Sequence, residues 1–111
     1  MNALRNKVQL IGNVGSDPEI RNLGEGKKLA KLAIATNEVY YNDKGDKVTD
    51  TQWHTVVAWG KAAEIIEKFV EKGKEIAVEG KLVHKVWEDK DGNKRYTTEV
   101  VANELLLLGG R

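Results

Sequence analysis

The sequence predicts an all-β protein: five strands closing into a small, partly open barrel, with one helix between strands 3 and 4. Three observations carry that prediction. Residues 75–87 alternate with period two. Ile76, Val78, Gly80, Leu82, His84 and Val86 share one parity; Glu75, Ala77, Glu79, Lys81, Val83, Lys85 and Trp87 share the other. Asp91-Gly92 then supplies a hairpin turn before a second long strand. Residues 61–72 change period instead. There Ala62, Ile65, Ile66, Phe69 and Val70 make a helical stripe, and Gly73 sits where a C-cap glycine belongs.

The remaining elements follow in order. Residues 5–15 read as the first strand, in which Gly12 and Gly15 imply bulges or sharp bends. Asn13, Gly15, Ser16, Asp17 and Pro18 supply turn chemistry, and residues 23–27 give a second loop signal. Residues 28–38, small and aliphatic, form the second strand, and a polar loop covers 42–50 around Lys44-Gly45-Asp46. The third strand is 52–59, the fourth 74–87 with a bend at Gly80, and the last 94–108. Strands this long in a small chain curl and serve two sheets at once. The simplest closure of a β-β-β-α-β-β order is the OB architecture.

Bulk properties narrow the function. The 111 residues fit one domain spanning 1–111. A domain of that size buries roughly two-thirds of the surface its unfolded chain exposes, enough for a core of its own. Hydrophobic residues at 41% and charged residues at 32% place the chain among globular rather than disordered proteins. It has no cysteine, which excludes disulfides and cysteine-based zinc sites. No apolar run approaches transmembrane length, and residues 1–8 lack the apolar core of a signal peptide, so a cytoplasmic location is expected. The net charge of only +1 counts against a uniformly basic nucleic-acid binder, so any such role depends on where the charges lie.

The tryptophans are the most informative residues. Most tryptophan area goes into cores, and for any one of them alone that is the default. Trp87, however, falls on the charged parity of its strand. Trp53 and Trp59 share a face with Thr55 and Val57, opposite His54, Val56 and Ala58. A flat ring on a lysine-bearing sheet face suits a base stacking on it. One of Tyr40 and Tyr41, at the start of a loop, is expected to face solvent. Phe69 on the helical stripe is assigned to the core, and Tyr96, alternating with Thr98, Val100 and Ala102, to the core or a sheet partner.

Lys7, Arg21, Lys31, Lys61, Lys72, Lys81, Lys85 and Arg95 lie on strands or near their ends. Singly, each reads as a solvated charge. As a set beside outward aromatics they suit phosphate neutralisation, which gives affinity without sequence choice. No catalytic constellation assembles from the two histidines, His54 and His84, and no Ser/His/Asp order stands out. Asp89-Lys90-Asp91-Gly92 fails as a calcium loop, because the glycine position holds Lys94 and the closing glutamate position holds Val100. Gly12, Gly15, Gly24 and Gly26 match no phosphate-loop spacing. No metal, cofactor or enzymatic activity is therefore expected.

Several segments resemble one family in the correct order. Asn6-Lys7-Val8, Ile11-Gly12-Asn13-Val14-Gly15 and Asp17-Pro18-Glu19 resemble the opening strand of bacterial single-stranded DNA-binding proteins. Residues 53–61, WHTVVAWGK, resemble their third strand; Glu79-Gly80-Lys81-Leu82, Trp87 and the stretch 96–101, YTTEVV, resemble their last two. The resemblance covers residues 5–111. It implies an OB fold, a homotetramer and single-stranded DNA wrapped over aromatic platforms. It implies stacking at Tyr40, Trp53, Trp59 and Trp87, basic contacts at or near Lys7, Arg21, Lys61, Lys72 and Lys85, and a subunit contact at His54. Thr55, Val83 and Val86 stand where basic residues are common in the family.

The expected function is sequence-tolerant binding and protection of single-stranded DNA in replication, recombination and repair, in the nucleoid-containing cytoplasm. A primosome accessory protein or an RNA-binding OB module is the alternative, separable by preference between DNA and RNA oligonucleotides. Family members usually carry a disordered, acidic-tipped tail that recruits replication and repair proteins. Such proteins are expected partners only if a tail of that kind exists outside this chain. The four leucines of residues 105–108 cannot all face one monomer's core, which fits self-association.

Overall fold

The structure, a computed structural model, describes residues 4–108. Its strands are β1 (Val8–Val14), β2 (Glu19–Gly24), β3 (Lys27–Tyr41), β4 (Lys47–Trp59), β5 (Glu75–Glu88) and β6 (Lys94–Leu108), and its helix α1 (Lys61–Phe69) lies between β4 and β5. Strand neighbours run β1-β5-β6-β4-β3, and a short β1–β3 pairing at Asn13↔Ala35 and Val14↔Ile34 closes the ring. This is the five-stranded OB barrel with a helix after its tryptophan-bearing strand. The helix follows the fourth strand rather than the third because β2 adds one to the count.

β2 carries no legible strand signal. Only Ile20 of its six residues turns inward, so no alternation marks it between two turn-rich stretches. It pairs with β3 alone and continues β1 past the bend at 15–18. Gly12 explains why the ring can close. A Cβ there would lie 2.3 Å from the Ala35 carbonyl oxygen, so only glycine lets β1 approach β3. Gly80 marks a β-bulge in the β5–β6 register and sits against the Val101 backbone, which is the bend its position implies.

β3 and β4 are longer than their patterns predict. Their register runs unbroken from Leu29↔Trp59 to Tyr41↔Lys47. The expected 42–50 loop shrinks to a turn because the Asn42 side chain closes it. Its Oδ1 accepts from the Lys44 and Asp46 backbone N–H groups at 2.9 and 3.0 Å. This hairpin and the β5–β6 hairpin project beyond the barrel. The radius of gyration, 16.1 Å, accordingly exceeds the roughly 13 Å of a compact domain of about this length.

The core is aliphatic. Val14, Ile34, Val56, Ile66 and Ile76 are its largest sealed side chains, with Leu32, Val78, Val100 and Val70 around them. α1 caps one end of the barrel through Ala62, Ala63 and Ile66. It stops at Phe69, earlier than the expected Lys72, because Val70 already has extended dihedrals. Gly73, at φ 92°, belongs to the turn that follows and donates to the Val14 carbonyl at 2.8 Å. Phe69 is not core: it is 54% exposed, since so short a helix buries only a narrow stripe. Tyr96 is exposed too, because it lies on the projecting part of β6, past the barrel. Among the described residues no helix is long and apolar enough to cross a membrane.

Two residues of that stripe should differ in stability measurements. Ile66→Ala is expected to cost about 2–5 kcal/mol of unfolding free energy in urea titrations. Phe69→Ala should stay within about 1 kcal/mol, as an exposed position does. A large loss at Phe69 in the isolated monomer would overturn the short-stripe account.

Candidate nucleic-acid interface

β4 builds the centre of the outer sheet face. Its alternation sends His54, Val56 and Ala58 inward, and Trp53, Thr55, Val57 and Trp59 outward. β3 supplies the row beside it, with Ala35 opposite Trp53, Ala33 opposite Thr55, Lys31 opposite Val57 and Leu29 opposite Trp59. The small alanine leaves the Trp53 ring uncovered on that side. β2 adds Glu19 beside Lys31 and Arg21 beside Leu29.

The other flank comes from β6, which runs parallel to β4 from Thr55↔Glu99 to Ala58↔Ala102. β5 follows, with Val83 opposite Glu99, Lys85 opposite Thr97 and Trp87 opposite Arg95. The three tryptophans are therefore carried outward: Trp53 is 62% exposed, Trp59 49% and Trp87 50%. Beside Trp59 lies a groove of about 190 Å³ floored by Leu29, Val57 and Glu99 and walled by Trp59, Lys31, Arg21, Lys85 and Glu19.

Two tryptophans are held as well as exposed. The Trp53 ring lies on the backbone of Gly15, where an added Cβ would come 2.3 Å from the ring. The Trp87 indole N–H donates to Thr97 Oγ1 at 3.0 Å. A ring fixed in this way loses less conformational freedom when a base stacks on it. Gly15 and Thr97 escape sequence reasoning because one reads as a turn residue and the other as an ordinary strand threonine.

The expected cations divide by their surroundings. Arg21, Lys31 and Lys85 meet in the groove. Arg95 flanks Trp87 across the strand pair. Lys61 opens α1 and Lys72 follows it, both exposed, and the Lys72 backbone N–H donates to Asp17. Lys7 lies on the face formed by β1 and β5, against Glu79. Lys7, Arg21, Lys85 and Arg95 are ion-paired: with Glu79 at 3.1 Å, Glu19 at 3.1 Å, Glu99 at 3.3 Å and Asp89 at 2.8 Å. Among the described residues Lys31, Lys61 and Lys72 have no such partner.

The carboxylates respond to these settings. Hydrogen bonding from the Asn93 backbone, then the Arg95 guanidinium, holds the Asp89 carboxyl below its ordinary range. Glu79 is held low by Gln9 first and Lys7 second. Tyr40 is exposed, yet in an unbroken register it takes the parity of Ile34 and Thr36, and Tyr41 takes that of Trp53. His54 is half-buried with Nε2 2.9 Å from Thr36 Oγ1. Among the described residues no group of three His, Cys, Asp or Glu could hold a metal ion.

A family model described as the single-strand binding protein family matches residues 5–108. The chain belongs to the single-strand binding protein family. A single-stranded DNA-binding protein 1 of Xylella fastidiosa is 48% identical over 105 residues, covering 94% of this chain and 77% of the relative. One from Chlorobaculum tepidum is 39% identical over 107 residues, with 96% and 66% covered. A solved Plasmodium falciparum SSB complex with single-stranded DNA superposes with a TM-score of 0.86 at 30% identity, covering 93% of this chain and 94% of that one. The barrel of this family member thus has the shape of one solved with the nucleic acid bound.

Trp53→Ala and Trp87→Ala are expected to weaken oligonucleotide binding while shifting the unfolding midpoint little, because both rings are largely exposed. Stacking is worth about 1–3 kcal/mol per base by alanine substitution, a magnitude that proteins of this family helped to define. Isothermal titration and thermal melting of the same variants check this. A cost of roughly 3–5 kcal/mol in folding stability would mark the rings as core.

Proposed function

We propose that residues 1–111 form one OB domain that binds single-stranded DNA with little sequence preference and shields it during replication, recombination and repair. The carrying observation is the outer sheet face itself: it presents three half-exposed tryptophans, and one of them, Trp59, lines a groove together with Arg21, Lys31 and Lys85. Trp53, Trp59 and Trp87 stack bases. Tyr40 adds a ring on the β3–β4 hairpin. Arg21, Lys31, Lys61, Lys72, Lys85, Arg95 and Lys7 meet phosphates along and around that face. Stacking and charge neutralisation need no base, nucleophile or metal, so the role is binding rather than catalysis. The work is done at the nucleoid, in the cytoplasm.

The chain acts as a homotetramer in this reading. Support comes from the opposite flank of the barrel. There Ile11 and Leu106 are exposed on the β1–β5–β6 face, beside a shallow groove of about 460 Å³ lined by Ile11, Ala77, Leu105 and Leu106. Along Val8–Gly12 the second edge of β1 pairs with no strand among the described residues. An unpaired edge next to an apolar strip suits a second copy of the chain. His54 belongs to a further subunit contact. Replication and repair proteins are partners only if a tail that recruits them exists outside this chain.

Adding single-stranded DNA is expected to quench tryptophan emission, and salt should reverse part of the quenching. The logarithm of the binding constant should fall linearly with that of salt, by about 0.7 for each phosphate neutralised. RNA of the same sequence should bind less tightly. Unchanged emission with saturating DNA would sink the platform. A second check concerns assembly: Ile11→Glu together with Leu106→Glu should lower the mass measured by sedimentation. An unchanged mass would place the subunit contact elsewhere.

A further inference from the structure

One charged group in the groove is not explained by stacking or phosphate neutralisation. Glu99 is the one buried charged or polar residue among those described, at 7% exposure, and it faces the nucleic-acid side rather than the core. Its position follows from register. Thr55 on β4 and Val83 on β5 flank it, and both are half-buried, so it sits in the lowest strip of the outer face. Its Oε1 is sealed from solvent and has no hydrogen-bond donor. The Lys85 ammonium stands 3.3 Å from that oxygen, close enough for charge attraction but not in hydrogen-bonding geometry. The Lys85 side chain itself is 57% exposed.

A buried acceptor without a donor is costly and asks for an explanation. On the floor of a groove that receives a polyanion it is doubly anomalous, since it repels phosphate. That repulsion has a use. It leaves the phosphates to the rim cations and turns base edges toward the floor. A carboxylate accepts but cannot donate, so what it takes there is an N–H of a base. We propose that Glu99 is a specificity-determining residue: the nucleotide seated beside Trp59 is favoured when its base presents an exocyclic amine, as cytosine, adenine and guanine do, and disfavoured when it is thymine. Lys85 takes part by exchange, leaving Glu99 for a phosphate as the amine takes its place.

The chemistry separates the bases cleanly. The cytosine N4 amine has one N–H pointing away from the ring acceptors, open to a carboxylate. Thymine offers only N3–H, set between two carbonyl oxygens that repel the same carboxylate. The preference is a modest bias within a sequence-tolerant protein, because it acts at one nucleotide of the bound stretch.

This inference rests on the reading of that face as the single-stranded DNA interface, and the test keeps the two apart. Cytosine and thymine homopolymers of equal length are titrated into wild type, Glu99→Gln and Lys85→Ala at mildly alkaline pH, where cytosine tracts stay unfolded. The quantity read is the cytosine-to-thymine affinity ratio, so intrinsic differences between the homopolymers cancel between variants. Glu99→Gln should lower that ratio about tenfold, near the lower end of what a hydrogen bond to a charged acceptor supplies. Lys85→Ala should weaken both homopolymers and reduce the salt slope by about 0.7, while the ratio persists. A ratio unchanged in Glu99→Gln overturns the assignment. So does a ratio lost equally in Lys85→Ala, which would make Glu99 a mere anchor for the lysine. Absence of binding to either homopolymer by wild type would overturn the interface as well.

Discussion

The four-residue parallel pairing of β4 with β6 is the constraint on which the rest depends. It joins Thr55–Ala58 to Glu99–Ala102 and is, among the described residues, the direct strand pairing between the tryptophan-bearing hairpin and the hairpin that carries Lys85 and Trp87; β1, paired with both β3 and β5, links them from the other side of the ring. A parallel pair cannot be made by a tight turn; it needs a long crossover, which α1 and β5 supply. Because side chains alternate, the same four pairs that place Val56, Val100, Ala58 and Ala102 in the core place Val57, Thr55 and Glu99 on the outer face. Core and interface are thus two readings of one register. A slip of one residue would drive Trp59 inward and Ala58 out.

Much of this was legible in the sequence because alternation is a local signal. The parity of Trp87 among lysines, and the shared parity of Trp53 and Trp59, required no knowledge of the fold, and the rings emerge exposed. The long strands β5 and β6, the helix and the bend at Gly80 follow from patterns within a dozen residues. What escaped depends on contacts between segments far apart in the chain. β2 has one inward residue and forms only because β3 offers an edge. Phe69 fits the helical stripe, but the barrel end is too narrow to cover it. Gly15 matters because a ring from residue 53 lies on it, and Glu99 looks like any strand glutamate until Thr55 and Val83 flank it. The hairpin register likewise sets Tyr40 apart from the tryptophans by parity, which the sequence around a turn does not reveal.

Charge placement resolves the tension between a net charge of +1 and a polyanionic ligand. Glu19, Glu99 and Asp89 each stand beside a cation of the outer face, and Glu79 stands beside Lys7 on the β1–β5 face. Exposed pairs of this kind contribute about 0–1 kcal/mol, so giving one up to a phosphate costs little. Their effect on binding is larger than their effect on folding, since each paired cation must exchange partners before it neutralises a phosphate. In the proposed role Lys31, Lys61 and Lys72, which have no ion-pair partner among the described residues, need no such exchange.

The same comparison explains why the buried pair differs from the exposed ones. At Arg21 and Arg95 the competing carboxylate is hydrated or held by a turn, and it loses little when its partner leaves. At Lys85 the competitor is Glu99, whose Oε1 is sealed from solvent and has no hydrogen-bond donor. Removing one partner of a buried pair leaves an uncompensated charge, which is far costlier than separating a surface pair. When Lys85 turns to a phosphate in the proposed exchange, Glu99 is left uncompensated unless something else donates to it. The bound strand carries both requirements, a phosphate for the lysine and an amine for the glutamate, within the span of a nucleotide.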